Sequence, residues 1–117
     1  MLRKLLRAKI HRATVTHCDL NYEGSISVDA DLLTRAAIAP HEAVHVWNVS
    51  NGARLETYAL PAAAGSGEIK LNGAAARLAQ PGDLVIIAAF GWLDDRSVAG
   101  HEVQIVAVDA ANRPQGS

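Results

Sequence analysis

One bond in this sequence is of a kind that a chain can break by itself: Gly24-Ser25, in the segment Tyr22-Glu23-Gly24-Ser25. A serine hydroxyl can attack the carbonyl of the residue before it, and glycine has no Cβ to shield that carbonyl or to forbid a strained backbone. The ester so formed can eliminate to dehydroalanine and hydrolyse, which leaves a pyruvoyl group at the new N-terminus. A Gly-Ser pair taken alone is more often an ordinary turn. Its surroundings have to decide.

Arg54-Leu55-Glu56-Thr57-Tyr58 reads as a strand, and alternation puts Arg54, Glu56 and Tyr58 on one face and Leu55 and Thr57 on the other. An arginine can clamp a carboxylate bidentately and a nearby tyrosine hydroxyl can donate a proton. The plainer reading is a solvated arginine and a tyrosine packed at a rim. Asn72-Gly73-Ala74-Ala75 offers backbone N–H groups beside very small side chains, a turn that a small anion can approach closely, although it matches no phosphate-loop fingerprint. The histidines, His11, His17, His41, His45 and His101, are scattered. His41 and His45 are four apart, but Pro40 precedes them and a β-rich run follows, so a helical ligand pair is not expected and no metal is assigned. His11 has the titration range of a proton shuttle, although a solvated strand histidine is the commoner finding.

These residues must be held by short strands. Leu5 to Thr16 alternates and then turns β-branched, which predicts a long strand with its basic side chains on one face. Ser25 to Asp29 predicts a short strand leading into a helix from Ala30 to Ala37, capped by Asp29 and closed before Pro40. Ala43 to Val49 and Arg54 to Leu60 flank Ser50-Asn51-Gly52-Ala53, and Asn-Gly marks a hairpin because both residues tolerate positive φ. Glu68 to Leu71 reads as a strand, Asn72 to Ala76 as a tight turn, and Asp83 to Phe90, almost unbroken in its apolar character, as a strand buried on both sides. Glu102 to Val108 is the last expected strand, and Ala110 to Ser117 a frayed tail. The sum is a mainly-β closed barrel rather than a βαβ sheet, in one domain over 1–117. Strand order does not follow from these patterns.

Composition narrows the classes. A count of 11 Lys+Arg against 12 Asp+Glu gives no field of the kind that draws a polyanion, so nucleic acid is an unexpected partner. The single cysteine, Cys18, allows no internal disulfide and fits a reducing compartment, which predicts the cytoplasm. The basic start, with Arg3, Lys4, Arg7, Lys9 and Arg12, is followed by no apolar signal segment, and no stretch has the length of a membrane helix. Few aromatics and much alanine imply a core of Val, Ile and Leu that oligomerisation would help to complete.

Read together, Lys9-Ile10-His11-Arg12, Val15-Thr16-His17, Asp19 to Ser25, Val46-Trp47-Asn48-Val49, Asn51-Gly52, Thr57-Tyr58-Ala59, Asn72 to Ala76 and Gly82 to Ile87 resemble the pyruvoyl-dependent aspartate 1-decarboxylase family of pantothenate and coenzyme A biosynthesis. The resemblance runs from Met1 to about Phe90 without an apparent gap. It implies a double-psi β-barrel with one short helix and small helical turns, assembled as a homotetramer with each active site between subunits. It also implies a zymogen cut into a β chain, 1–24, and an α chain, 25–117, whose tail at 110–117 is flexible. The activity implied is decarboxylation of L-aspartate to β-alanine and CO2 through a Schiff base on a covalent pyruvoyl group derived from Ser25. Matched position by position, Ser25 is the pyruvoyl precursor and Tyr58 the proton donor, while Thr57 assists cleavage of the Gly24 bond and contacts substrate. Lys9 and Arg54 match the cations that face the substrate carboxylates, and Gly73, Ala74 and Ala75 the backbone substrate loop. Trp47, Tyr22 and Asn72 match pocket positions, and His11 a maturation position.

Two departures stand out: Cys18 replaces a small residue common in the family, and Gly91 to His101 follows no family pattern. The alternative reading is a double-psi barrel that keeps the fold as a non-catalytic interaction module, against which stand the retained Gly24-Ser25, Arg54 and Tyr58. A swapped-hairpin DNA binder, suggested by the basic first strand, is disfavoured by the near-neutral charge.

Overall fold

A computed structural model describes residues 1–116. Strand β1 spans Leu2–Thr14, β2 His17–Asp19, β3 Ser25–Asp29, β4 Ala43–Asn48, β5 Arg54–Ala62, β6 Ile69–Asn72, β7 Leu84–Asp94 and β8 Gln104–Ala107. Helix α1 covers Ala30–Ala36, and 3-10 turns cover Gly73–Leu78 and Asp95–Ser97. The protein is therefore mainly β, with little helix.

The strands run β2-β6-β3-β5-β4-β7-β1-β8 across the sheet. Only Val15 and Thr16 separate β1 from β2 in the chain, yet these two strands stand near opposite ends of that order. A chain that crosses the sheet in two residues requires the sheet to be rolled. The crossing is fastened by Val15 N–H donating to Asp83 O and Thr16 N–H donating to Ile69 O, each at 2.8 Å. Inside the roll, Ile10, Ile26, Leu32, Ile69, Leu71 and Ile87 are fully buried. Each such side chain contributes about 1.5–3 kcal/mol relative to exposure.

Local chemistry explains the elements. The Asp29 carboxylate accepts from Asp31 N–H at 2.9 Å and starts α1, which ends on Ala37 in the left-handed region. Gly52, at φ +81°, supplies the positive dihedral that turns β4 back on β5. The turn is braced by Asn48, whose side-chain oxygen accepts from Ser50 and Asn51 N–H.

Four expectations require correction. β7 is not buried throughout: Val85, Ile87 and Ala89 face the core, while on the other face Ala88 is covered but Leu84, Ile86 and Phe90 are partly exposed. It also continues to Asp94, paired with β1 from Leu2 to Leu6, so the unplaced 91–101 stretch begins as strand over its first four residues. β2 has no alternation to announce it, being a three-residue parallel addition to β6. Finally, the segment expected to fray is tied down, because buried Asn112 donates to Thr14 O and Gly67 O and accepts from Thr14 N–H. Pro114 also bridges to Val108, while Ser117 lies outside the described residues.

Candidate active site

Alternation along β3 sends Ile26 and Val28 into the core and puts Ser25 and Ser27 on the other face. Ser25 pairs with Asn72 of β6 in an antiparallel ladder, and Asn72 pairs in turn with Asp19 of β2. The Asn72 amide nitrogen therefore reaches both hydroxyls, donating to Ser25 Oγ at 2.9 Å and to Ser27 Oγ at 3.1 Å. Ser25 and Asn72 are both fully buried, and Asn72 Oδ1 has no partner. A donor aimed at a hydroxyl oxygen favours the charge that develops there when the proton leaves.

The bond before Ser25 sits at a boundary. Gly24 is exposed, and a Cβ on it would point into open space, whereas the next residue is sealed from solvent. Gly73, at φ +65°, presses on this segment: a Cβ there would lie 2.8 Å from Gly24 Cα, 2.9 Å from Gly24 N and 3.0 Å from Tyr22 O. Only glycine fits, on both dihedral and steric grounds. The Gly73–Leu78 turn then runs along a cleft of about 380 Å³ lined by Gly24, Leu55, Glu56, Thr57, Tyr58, Ala74, Ala75 and Leu78. Gly24, Thr57, Tyr58 and the small-residue loop thus share one cavity. Beside it, the Tyr58 ring stacks on His41 with centroids 6.2 Å apart.

The family model described as Aspartate decarboxylase matches residues 1–115. The chain belongs to that family. Aspartate 1-decarboxylase 2 of Polaromonas sp. is 54% identical over 97% of this chain and 90% of its own length. The aspartate 1-decarboxylases of Leptothrix cholodnii and Moorella thermoacetica are also 54% identical over 97% of this chain, covering 86% and 88% of their own lengths.

Within the family frame, the remaining expected residues divide. Arg54, Glu56 and Tyr58 do share a face of β5, set opposite Trp47, His45 and Ala43 of β4. Lys9 of β1 lies in the same lateral row, Lys9-Ala88-His45-Glu56. This outer face is a layered surface: the Arg54 guanidinium lies 4.6 Å from the Trp47 ring centroid, and Phe90 meets His45 edge-on at 5.0 Å. Lys9, Arg54 and Trp47 do not line the cleft that holds Gly24, Thr57 and Tyr58. One copy of the chain therefore does not bring its two expected substrate cations to that cleft. Tyr22 is half exposed, with the Lys70 ammonium 4.6 Å from its ring centroid.

His11 is a special case. Burial, then Lys9 and then Arg12, lower its pKa, so the ring is neutral at pH 7, and its buried Nδ1 has no partner. Arg12 beside it takes φ +61° at a register break in β1, a bulge with no mark in the sequence. The sequence reading also missed Ser27, Leu55, Glu56 and Leu78. The first was available as the residue two beyond Ser25, hence on its face, and Glu56 as the residue between Arg54 and Tyr58 on theirs. Among the described residues, no group of three His, Cys, Asp or Glu side chains is arranged to hold a metal, and no helix is long and apolar enough to cross a membrane.

Proposed function

We infer that this chain is a pyruvoyl-dependent aspartate 1-decarboxylase, converting L-aspartate to β-alanine and CO2, and that it makes its own prosthetic group at Ser25. The observation that carries the reading is the Gly24-Ser25 junction: a buried hydroxyl, an amide donor 2.9 Å from it, and a glycine at 73 whose missing side chain leaves room for the scissile segment. In the self-cleavage, Ser25 Oγ attacks the Gly24 carbonyl carbon while its proton passes to the Ser25 nitrogen. The peptide C–N bond breaks, and an ester links Gly24 to Ser25. Loss of the Ser25 Cα proton expels the Gly24 carboxylate, and water then replaces the nitrogen, which leaves as ammonia. Thr57 assists the first transfer, and His11, which stands on β1 away from Ser25, is the candidate maturation residue.

The Asn72 amide nitrogen, which donates to Ser25 Oγ at 2.9 Å, fits a small carbonyl group in place of the serine, held by Asn72 and the Gly73 to Ala75 backbone. When formed, the pyruvoyl group supplies a carbonyl that takes up the substrate amine and a sink for the electron pair released with CO2. The residues of the chain do the rest. Lys9 and Arg54 hold the two carboxylates, Trp47 and Tyr22 close the pocket, and Tyr58 returns a proton to the substrate Cα.

Because Lys9 and Arg54 of one copy lie away from its own cleft, a neighbouring copy completes the site, which supports the homotetramer. The rolled sheet, with β1 next to one edge and β2 at the other, is read as the family's double-psi barrel. Residues 1–24 become the β chain and 25–117 the α chain of one domain. The lone cysteine supports work in the cytoplasm.

Denaturing mass spectrometry tests the scheme. Two fragments meeting between residues 24 and 25 are expected, the larger lighter by the elements of ammonia. Ser25→Ala remains one uncut, inactive chain, and an active Ser25→Ala protein sinks the reading.

A further inference from the structure

The scissile segment is a loop, 20–24, between β2 and β3, and it is exposed almost throughout. Lys70 packs against it. This lysine sits in the middle of β6, cross-strand from Ser27 on one side and His17 on the other, so it shares a face with Asn72 and Ser25 one row away. Its ammonium lies 4.6 Å from the Tyr22 ring centroid and 3.9 Å from Asp19 Oδ2. Asp19 in turn accepts from Asn21 N–H through its side chain and from Tyr22 N–H through its carbonyl. One cation thus grips both ends of the turn that delivers Gly24.

We propose that Lys70 is a positioning residue for self-processing: it holds Asp19 and Tyr22 so that the Gly24 carbonyl is presented to the Ser25 hydroxyl. It acts through the loop and touches no substrate. A loop tethered at one end only would sample orientations in which the carbonyl points to solvent, and the fraction of time spent ready for attack would fall. The inference rests on the self-cleavage proposed above and adds the device that orients it.

The test compares wild type, Lys70→Met and Lys70→Arg made by cell-free synthesis. Cleavage is followed over time by denaturing mass spectrometry, and folding is checked by thermal melting. Lys70→Met keeps the stem and loses the charge, and its cleavage should be about two- to fivefold slower, the scale of one exposed cation–ring contact. Lys70→Arg should restore the rate. Added salt should slow wild type toward the methionine variant and leave that variant unchanged, because an exposed charge pair is screened. Turnover per pyruvoyl group in the matured fraction should fall by less than the cleavage rate does. Tyr22→Leu should slow cleavage by a similar factor, and the double variant should be no slower than either single one.

Wild-type cleavage rates in Lys70→Met, a salt effect that persists in it, or additive single effects would overturn the proposal. Equal losses in cleavage and in turnover per pyruvoyl group would do the same, by placing the lysine in the substrate site. A wild type that never cleaves would instead refute the processing reading itself.

Discussion

Gly73→Ala is the most direct probe of the junction. The added Cβ would stand 2.8 Å from Gly24 Cα and 2.9 Å from Gly24 N, both backbone atoms with no rotamer to escape into. To regain an ordinary carbon–carbon separation, the scissile segment must retreat by about 0.6–1 Å. The residue must also hold φ +65°, which for a non-glycine residue costs about 1–3 kcal/mol. Overpacking adds about 1–3 kcal/mol, for a total near 2–6 kcal/mol. A displacement of that size at a reacting carbonyl lowers the rate by about 10²-fold. The expected result is a folded protein with a depressed melting temperature that stays almost uncut while wild type matures. Mass spectrometry measures the cut fraction and differential scanning fluorimetry the melting shift. Cleavage at the wild-type rate, with unchanged melting, would show that the close approach of Gly73 to Gly24 has no role.

Other perturbations separate the parts. Tyr58→Phe should cleave normally and lose about 10²-fold or more in turnover, the scale of a lost general acid, as read by β-alanine release per pyruvoyl group. Asp29 governs acid behaviour. Burial pushes its carboxyl up, but the N–H groups of Gly67, Asp31 and Gly65 and the charge of Arg113 outweigh this and hold the pKa below the ordinary range. The stability it contributes is therefore full above the unfolded value of about 3.9 and is lost as pH falls through the lower folded value. Asp29→Asn should flatten that part of the stability curve measured by urea titration between pH 2 and 5, and an unchanged curve would count against it. Asn112→Ala removes three hydrogen bonds to Thr14 and Gly67 and should cost about 2–4 kcal/mol, visible as a lower urea midpoint. A midpoint equal to wild type would mean that the tail is not anchored there.

What could be read in the sequence was local. Asn51-Gly52 marked the β4–β5 turn, Asp29 the start of α1, and alternation the shared face of Arg54, Glu56 and Tyr58, because each depends on neighbours a few residues apart. What could not be read depends on distant partners. β2 exists through Lys70, Leu71 and Asn72, some fifty residues on, and the tail is held by one asparagine that finds Thr14 across the sheet. The run from Leu84 to Phe90 misleads for a related reason: apolar residues on both faces predict burial on both, while the outer row with Trp47 and Phe90 is partly exposed. At the site, residue types pointed to Ser25 and Tyr58 and the family resemblance to Thr57, and the cleft does collect Thr57 and Tyr58 beside Gly24. Lys9 and Arg54 could not be assigned a side of the sheet relative to that cleft without the strand order.

The placement of β1 between β7 and β8 matters once the bond after Gly24 is broken. The short piece would then be a separate polypeptide whose β1 is flanked on both sides by β7 and β8 of the longer one, so mild conditions should not release it. Complete denaturation sets it free, and reassembly becomes a second-order encounter between two peptides. Matured enzyme should therefore recover poorly from dilute denaturant, whereas an uncut Ser25→Ala chain, still one molecule, should recover independently of concentration.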